Sequence, residues 1–532
     1  MIEKDGVRIR RATENDVEGV RTLFRETYGD SYPYRSFFDQ SWLLRSILSD
    51  DLVVLVAEDV ATGVLLGTAS VVVDVGAHSD LTGEFGRLAV SSAARSRGIG
   101  KMLMDARVDA VRDRLHVGLV ENRTLHHHSQ RISLAAGFAP VGVLPQKHVL
   151  ERRESVALFV RLFGPALDLR RNHPRVVPEI HRLAQAALRS VGLAPDTIVD
   201  EESPPYPAGA LLVADEMTSE GMPMVLRIER GRVHRREVFG PVRLHYGLFK
   251  LAAKKANYVV ARLPEVQGGA VAGAVGWIFD PVEKNARVFE LIADSDAAIR
   301  FLLEQVVTRA HEQGVVYLEI DVSAYAPSLQ RTLVELGFVA AAYVPAMVFE
   351  NVERLDVVRM VKLFAEPDLS GLDVVEPVRP FLGLVEQALR REHVLPQVAE
   401  AIERLPLFEG LSREQAQRLA SEMTLERYRG GEALFSSGDA AKALFVILDG
   451  VVDVERQDRV IGRVLAGDVL GERGLLEGGD HGSTAKAARD LTVAMLTEEA
   501  LHALTRQRPD VAVVLYRNLA RGLGRKLDAA NG

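Results

Sequence analysis

The chain has 532 residues, 47% hydrophobic and 26% charged, enough apolar material for several cores and too much for a disordered chain. Lys and Arg number 65 against 73 Asp and Glu, a net charge of −8 that gives no bulk drive toward nucleic acid. There is no Cys, so disulfides, thiolate metal sites and Cys nucleophiles are excluded.

No stretch approaches the roughly 20 apolar residues of a membrane helix. Glu3, Lys4, Asp5 and Arg8 deny the N-terminus a signal-peptide core, so a cytoplasmic protein without membrane partners is expected.

The first elements alternate between strand and helix. Val7–Arg11 reads as a strand, and Thr13 to Asp16 offers a cap for a helix over Val17–Tyr28. Leu52–Glu58 and Val64–Val75 are β-branched runs around a turn at Ala61–Gly63. Gly86–Val90 is a strand, and Ile99–Leu115 is a helix with apolar Ile99, Leu103, Ala106 and Ala110. Val117–Val120, Ser129–Ala136 and Ser155–Phe163 complete a strand–helix–strand series. A mixed α/β domain follows.

The pattern then repeats about 200 residues later. Gln130–Phe138 aligns with Gln330–Phe338, and Val156–Phe163 aligns with Val357–Phe364. Asn257–Leu263 and Ala270–Asp280 resemble the earlier hairpin. Helices over Glu179–Val191 and Phe381–Arg391 follow the two copies. Linkers are expected over Ala194–Pro207 and around Glu392–Glu403. From Leu405 a helix over Arg413–Glu422 precedes short β-runs with Gly turns to Thr497, then two helices. The divisions are 1–165, a helical linker 166–207, 208–365, a helical linker 366–404, and 405–532.

One loop of the first copy carries chemistry. After Arg87 to Val90 come Ser91 to Arg95, then Ser96, Arg97, Gly98, Ile99, Gly100 and Lys101 at the start of a helix. Glycines let amides converge, a helix start adds partial positive charge, and Arg95, Arg97 and Lys101 add full charges. The arrangement suits a diphosphate. His126, His127 and His128 form no metal site by spacing, since neighbouring side chains point apart and no Asp or Glu within helical reach completes a set.

These residues resemble the GNAT acetyltransferase superfamily. Arg95, Gly98 and Gly100 match its acetyl-CoA motif, and Gly137 and Phe138 match the pair that closes its fourth helix. The resemblance covers residues 7–163 and implies acetyl-CoA, or another acyl-CoA, as cosubstrate. It implies that Leu88, Ala89 and Val90 pair with the pantetheine arm and that an amide near Val90 polarises the thioester. It places a carboxylate base at Glu84. The family's Tyr acid falls at Ser133, a weaker acid, which leaves Ser129, water or a nearby His as proton sources.

In the second copy the loop position reads Phe289 to Arg300, with Asp294 and Asp296 and no Gly pair. Two carboxylates repel a diphosphate. A degenerate GNAT-like shell is expected, one that packs on the first copy, completes its acceptor cleft or forms a dimer surface. The third segment is similar to cyclic-nucleotide-binding domains, a β-roll with helical flanks. Gly431 to Asp439 and Ala443 to Val454 carry that likeness. Gly471 and Glu472 match the phosphate cassette, which would continue through Gly474, Leu475 and Leu476. His481 stands at the phosphate Arg, with Ser483 and Thr484 after it. Arg forks onto a phosphate and His does not. No helix-turn-helix follows Leu527, so no nucleic-acid partner is expected.

The fold class is thus tandem GNAT folds with mixed sheets, plus a β-roll. Two functions are consistent with it. One is an N-acyltransferase acting on an amine, either protein lysine or a small molecule, with a cyclic nucleotide as regulator. The other is a sensor or scaffold without chemistry.

Overall fold

The computed structural model describes residues 2–29, 35–73, 80–149, 152–217, 237–240, 256–264, 266, 269–402, 405–412, 415–416, 419–420, 422–457, 459–473 and 478–531. Val75, half of the helix expected over Arg413–Glu422, and Gly474, Leu475 and Leu476 lie outside the described residues. The chain forms two compact units, Met1–Glu386 and Gln387–Gly532.

The first copy runs β1 (Ile2–Lys4), β2 (Val7–Arg11), α1 (Val17–Tyr28), α2 (Gln40–Ile47), β3 (Leu52–Asp59), β4 (Leu65–Val72) and β5 (Thr82–Val90). It continues through α3 (Ile99–Val111), β6 (Val117–Arg123), α4 (His128–Ala135), β7 (Ala139–Val149) and β8 (Arg153–Leu162). Local chemistry sets the joints. Asp16 accepts from the Thr13 amide at 2.7 Å, closing the capping box before α1. The Asp59 carboxylate holds the amides of Ala61 and Thr62 at 3.1 Å, and Gly63 takes φ +72° to close that turn.

The short strands β9 (Arg175–Val176) and β10 (Ile198–Val199) pair in parallel around α5 (Pro178–Ser190). The second copy follows as β11 (Val213–Met217), β12 (Val238–Phe239), β13 (Ala256–Arg262), β14 (Val271–Asp280) and β15 (Asn285–Ala293). Then come α6 (Asp296–Glu312), β16 (Tyr317–Ser323), α7 (Pro327–Glu335), β17 (Val339–Glu350) and β18 (Glu353–Leu363). The stretch around Glu392 is part of one helix, α8 (Arg379–Ile402), which carries Pro380 in its first turn and Pro396 further on, and is otherwise rich in Leu, Val, Ala, Glu and Arg.

Among the described residues the two copies share one sheet of sixteen strands. Its order is β1-β2-β3-β4-β5-β6-β8-β7-β17-β18-β16-β15-β14-β13-β11, with β12 beside β16. The halves meet where Gly142 of β7 pairs with Ala342 of β17. These two residues occupy the same place in their own copies, so the meeting point lies on the pseudo-dyad. A Cβ on Gly142 would stand 2.3 Å from both the Ala341 carbonyl and the Ala342 Cβ. Only Gly permits this approach.

The dyad also exchanges arms. Buried Gln130 donates to the carbonyls of Arg123 and Asp373 at 3.0 Å and accepts from the Val375 amide at 3.0 Å. Buried Gln330 donates to the carbonyls of Ser323 and Arg175 at 2.9 and 3.3 Å and accepts from the Val177 amide at 3.1 Å. Each Gln is therefore served by the segment that follows the other copy.

Beside the dyad lies a charge cluster drawn from both copies. Lys147 pairs with Glu121 at 2.7 Å and Glu319 at 3.1 Å, and Arg359 with Asp321 at 2.7 Å. His148 meets Glu121 at 2.7 Å and Glu283 at 2.9 Å, one carboxylate per ring nitrogen. Burial opposes the charge on His148, but the hydrogen bonds and charges of Glu121 and Glu283 outweigh it and push its pKa up to about 10.

The second unit is a roll of two four-stranded sheets. One sheet combines β19 (Thr424–Tyr428), β21 (Ala443–Asp449), β24 (Val469–Leu470) and β26 (Leu491–Thr497). The other combines β20 (Ala433–Phe435), β22 (Val451–Arg456), β23 (Arg459–Leu465) and β25 (Thr484–Ala487). Helices α9 (Glu498–Gln507) and α10 (Pro509–Asn531) bury Leu501, Leu504, Val511, Leu515 and Leu519 against Leu444, Val446 and Leu496.

Gly142→Val should destabilise the first unit by about 1–3 kcal/mol, the usual cost of overpacking. Denaturant unfolding checks it, and an unchanged midpoint would remove the junction. A group whose pKa rises on folding stabilises fully below its unfolded value, here about 6.5, and loses that contribution as pH climbs through its folded value. His148→Gln should therefore flatten the fall in melting temperature of the first unit between about pH 7 and 10.

Candidate active site and nucleotide pocket

The first copy opens between β5 and β6. These parallel strands pair only from Thr82–Phe85 to Val117–Val120. Beyond that point no described strand pairs with Glu121–Arg123 on the β5 side, and a groove remains. The cause is a bulge. Ala89 pairs with Thr68 and Gly86 with Ser70, so Arg87 and Leu88 together face Ala69. Arg87 takes φ +57°, a strained value for a non-Gly residue. Tyr28 donates to the Leu88 carbonyl at 3.0 Å, and Arg107 donates to the Gly86 carbonyl at 3.0 Å. Burial raises the Tyr28 pKa, so its hydroxyl keeps its proton.

The second copy has the same opening, closed from within. β15 and β16 pair from Asn285–Val288 to Tyr317–Ile320. Past them β12 enters, Val238 facing Val322 and Phe239 facing Asp321. Gly240 continues so near β15 that a Cβ on it would lie 2.4 Å from Phe289 Cα. A strand of the chain itself thus occupies the place that stays open in the first copy. Asp296, in the first turn of α6, adds the carboxylate expected to repel a diphosphate.

The loop before α3 matches its expected shape. Ser91 is tied to the Leu66 carbonyl at 2.9 Å, Ser92–Ala94 makes one tight turn, and Ser96 and Gly98 take φ of +67° and +74°. Gly98 caps α3 without a side-chain partner, leaving the first amides of the helix available. Nothing lies within 4 Å of the place where a Gly98 Cβ would be. Arg95, Arg97 and Lys101 are exposed, with Arg97 3.9 Å from Asp59. Buried Ile99 anchors the turn. Gly100 serves packing instead: a Cβ there would stand 3.0 Å from Ile132 of α4. This set of donors fits a diphosphate.

The other expected site residues are more scattered. Glu84 lies in the closed part of the strand pair, 41% exposed and 3.5 Å from Arg87. Ser133 is fully buried and exchanges hydrogen bonds with the Asn122 side chain at 3.0 and 3.2 Å. Ser129 Oγ and His126 Nδ1 are buried and have no hydrogen-bond partner. Burial, then the charge of Arg123, lowers the His126 pKa, so the ring is neutral at pH 7. His127 meets Asp373 at 2.7 Å, a partner from the segment after the second copy that helical reach did not include. No cluster of metal-ligating side chains occurs among the described residues. Sequence reasoning missed Tyr28, Asn122 and Arg107.

In the β-roll, Gly471 takes φ +83° and a Cβ on it would lie 2.5 Å from the Ala443 carbonyl. Glu472 is buried beside it. His481 is fastened by backbone, donating to the Asp439 carbonyl and accepting from the Gly438 amide, both at 2.8 Å. Its ring stacks on Phe435, 3.6 Å between centroids. Burial lowers its pKa despite Asp439 and Asp480, so at neutral pH it brings no charge to a phosphate. Thr484 Oγ1 accepts from the Ser437 amide at 3.0 Å, and half-buried Ser483 precedes it.

An open splay, a strand bulge and an uncapped, cation-flanked helix start occur together in the first copy, and the second unit is a β-roll. Residues 17–137 match the acetyltransferase (GNAT) family and residues 425–508 match the cyclic nucleotide-binding domain, so the chain carries one domain of each. The cyclic AMP receptor protein of Thermus thermophilus is 33% identical over 131 residues, 24% of this chain and 59% of that one. A cAMP-dependent protein kinase regulatory subunit of Mycosarcoma maydis is 29% identical over 136 residues, 24% of this chain and 25% of that one. The match thus spans less than two thirds of either relative. Among solved structures, a ribosomal-protein-S5-alanine acetyltransferase from Vibrio fischeri aligns at 16% identity and a TM-score of 0.28, over 30% of this chain and 95% of that one. No described helix is long and apolar enough to cross a membrane.

His481→Arg should raise cyclic AMP affinity about tenfold by adding a forked, permanent cation. Titration calorimetry checks it, and an unaltered affinity would place the defect elsewhere in the pocket.

Proposed function

We propose that the first copy transfers an acetyl or other acyl group from CoA to an amine by direct attack in a ternary complex. The carrying observation is the contrast between the copies: one splay is open and led by a cationic helix start, the other is filled by β12. In this reading the amides from Ile99 to Lys101, with Arg95 and Arg97, hold the diphosphate. Leu88, Ala89 and Val90 line the pantetheine arm, and amides at the bulge meet the charge that builds on the thioester oxygen. Glu84 takes the proton of the amine. Ser133, committed to Asn122, is badly placed as an acid. Ser129, whose buried hydroxyl has no hydrogen-bond partner, or water returns a proton to the leaving thiolate.

The acceptor is a protein lysine or a small amine. The second copy supports the first through the dyad, and the β-roll regulates it by binding a nucleotide or a related ligand. The competing reading is a sensor that binds CoA without turnover. Burial of the residue at the acid position favours it.

Arg95→Glu should weaken acetyl-CoA binding by about tenfold or more, since it turns an attraction into a repulsion. Its unfolding curve should match wild type, because Arg95 is exposed. Equal affinity for the two proteins would overturn the diphosphate cradle. Gly100→Asp is a poorer probe because it also strikes Ile132.

A further inference from the structure

Arg107 lies on the buried face of α3, 1% exposed. Among the described residues no carboxylate pairs with it. Its Nη1 donates to the Ser70 carbonyl at 3.2 Å and the Gly86 carbonyl at 3.0 Å. Its Nη2 lies 3.2 Å from the Met104 sulfur, its Nε has no partner, and the guanidinium stands 5.6 Å from the Phe85 ring centre. Burial, then the charge of Arg87, lowers its pKa to about 9, so it is still a cation at neutral pH. An unpaired buried charge is costly, and an apolar side chain would fill the site at less expense.

The two carbonyls give the position meaning. Ser70 and Gly86 are the paired residues at which the β4–β5 register slips. Arg107 therefore grips both strands at one end of the bulge, while Tyr28 holds the Leu88 carbonyl at the other. The Gly86 carbonyl shares its peptide group with the Arg87 amide. A cation on that oxygen draws electron density from the peptide and makes its N–H a stronger donor. Arg87 itself brings a second positive charge and has a buried, unpartnered Nη1. The bulge is thus both held in its strained shape and biased toward negative charge.

We propose that Arg107 is a positioning residue for acyl transfer: it fixes the Arg87–Leu88 bulge through the Ser70 and Gly86 carbonyls and polarises the amides that face the thioester oxygen. This rests on the acyl-CoA reading of the groove. The readout is the infrared carbonyl band of acetyl-CoA labelled with carbon-13 at the thioester, with affinity from calorimetry on the full chain.

Wild-type protein should bind acetyl-CoA and move the band to lower frequency. Arg107→Met should bind within about threefold of wild type, since the diphosphate loop is untouched, and lose most of the shift. Arg107→Lys, which keeps a charged donor, should recover a good part of it. A role confined to packing would leave the shift of Arg107→Met intact, and that result overturns the proposal. So does a wild-type complex with no shift. Should Arg107→Met fail to fold by circular dichroism, Arg107→Gln replaces it: it can still donate to the carbonyls but brings no charge, and must also lose most of the shift. A wild-type chain that binds no acetyl-CoA overturns the acyltransferase reading itself, a different outcome from either.

Discussion

The first unit depends on one close contact, that of Gly142 with Ala342. Through it two half-sheets become one, and everything near the pseudo-dyad follows. The strands can approach only because one of the two residues has no side chain. With the backbones this near, Lys147 and His148 of one copy reach Glu283 and Glu319 of the other. A cluster of this kind is stable only if each charge is matched, and here each has an opposite partner. The charges beside the pseudo-dyad are therefore supplied by both halves.

Much of this was legible in the residues. Periodicity marked several helices and strands of the first copy, and the recurrence of Gln-Arg before Gly-Phe disclosed the duplication. The phosphate loop was readable because glycines and cations crowd one helix start, a local feature. The exchange of arms was not readable. Gln130 and Gln330 aligned, but nothing near either announces that its partner segment follows the opposite copy. The closure of the second groove was equally hidden, because Val238 and Phe239 are two ordinary apolar residues far from β16 in sequence. Arg107 did leave a trace: it is a cation among Leu103, Met104, Val108 and Val111 on a buried helix face. That irregularity is the kind of local conflict that marks sites under functional constraint.

The second copy and the β-roll differ from the expected sites in different ways. In the second copy backbone fills the space, so a point substitution at the loop would not restore it. In the β-roll the described residues keep their places: Gly471 turns, Glu472 is buried, and His481 is held by backbone hydrogen bonds. What stands there is a ring that is neutral and stacked on Phe435, not a permanent cation. The first departure is topological and the second a matter of side-chain chemistry.

A contact in which a residue meets its own counterpart is the signature of isologous association, where one surface recognises itself. Gly142 against Ala342, together with arms traded across the axis, has the form of a homodimer whose subunits have been joined in tandem. Joining them changes what selection sees. In a true dimer every substitution appears twice, so neither binding cleft can be abandoned alone. Within a single polypeptide the halves are free to specialise: one keeps its cleft, while the other need only preserve the surface that its twin leans upon.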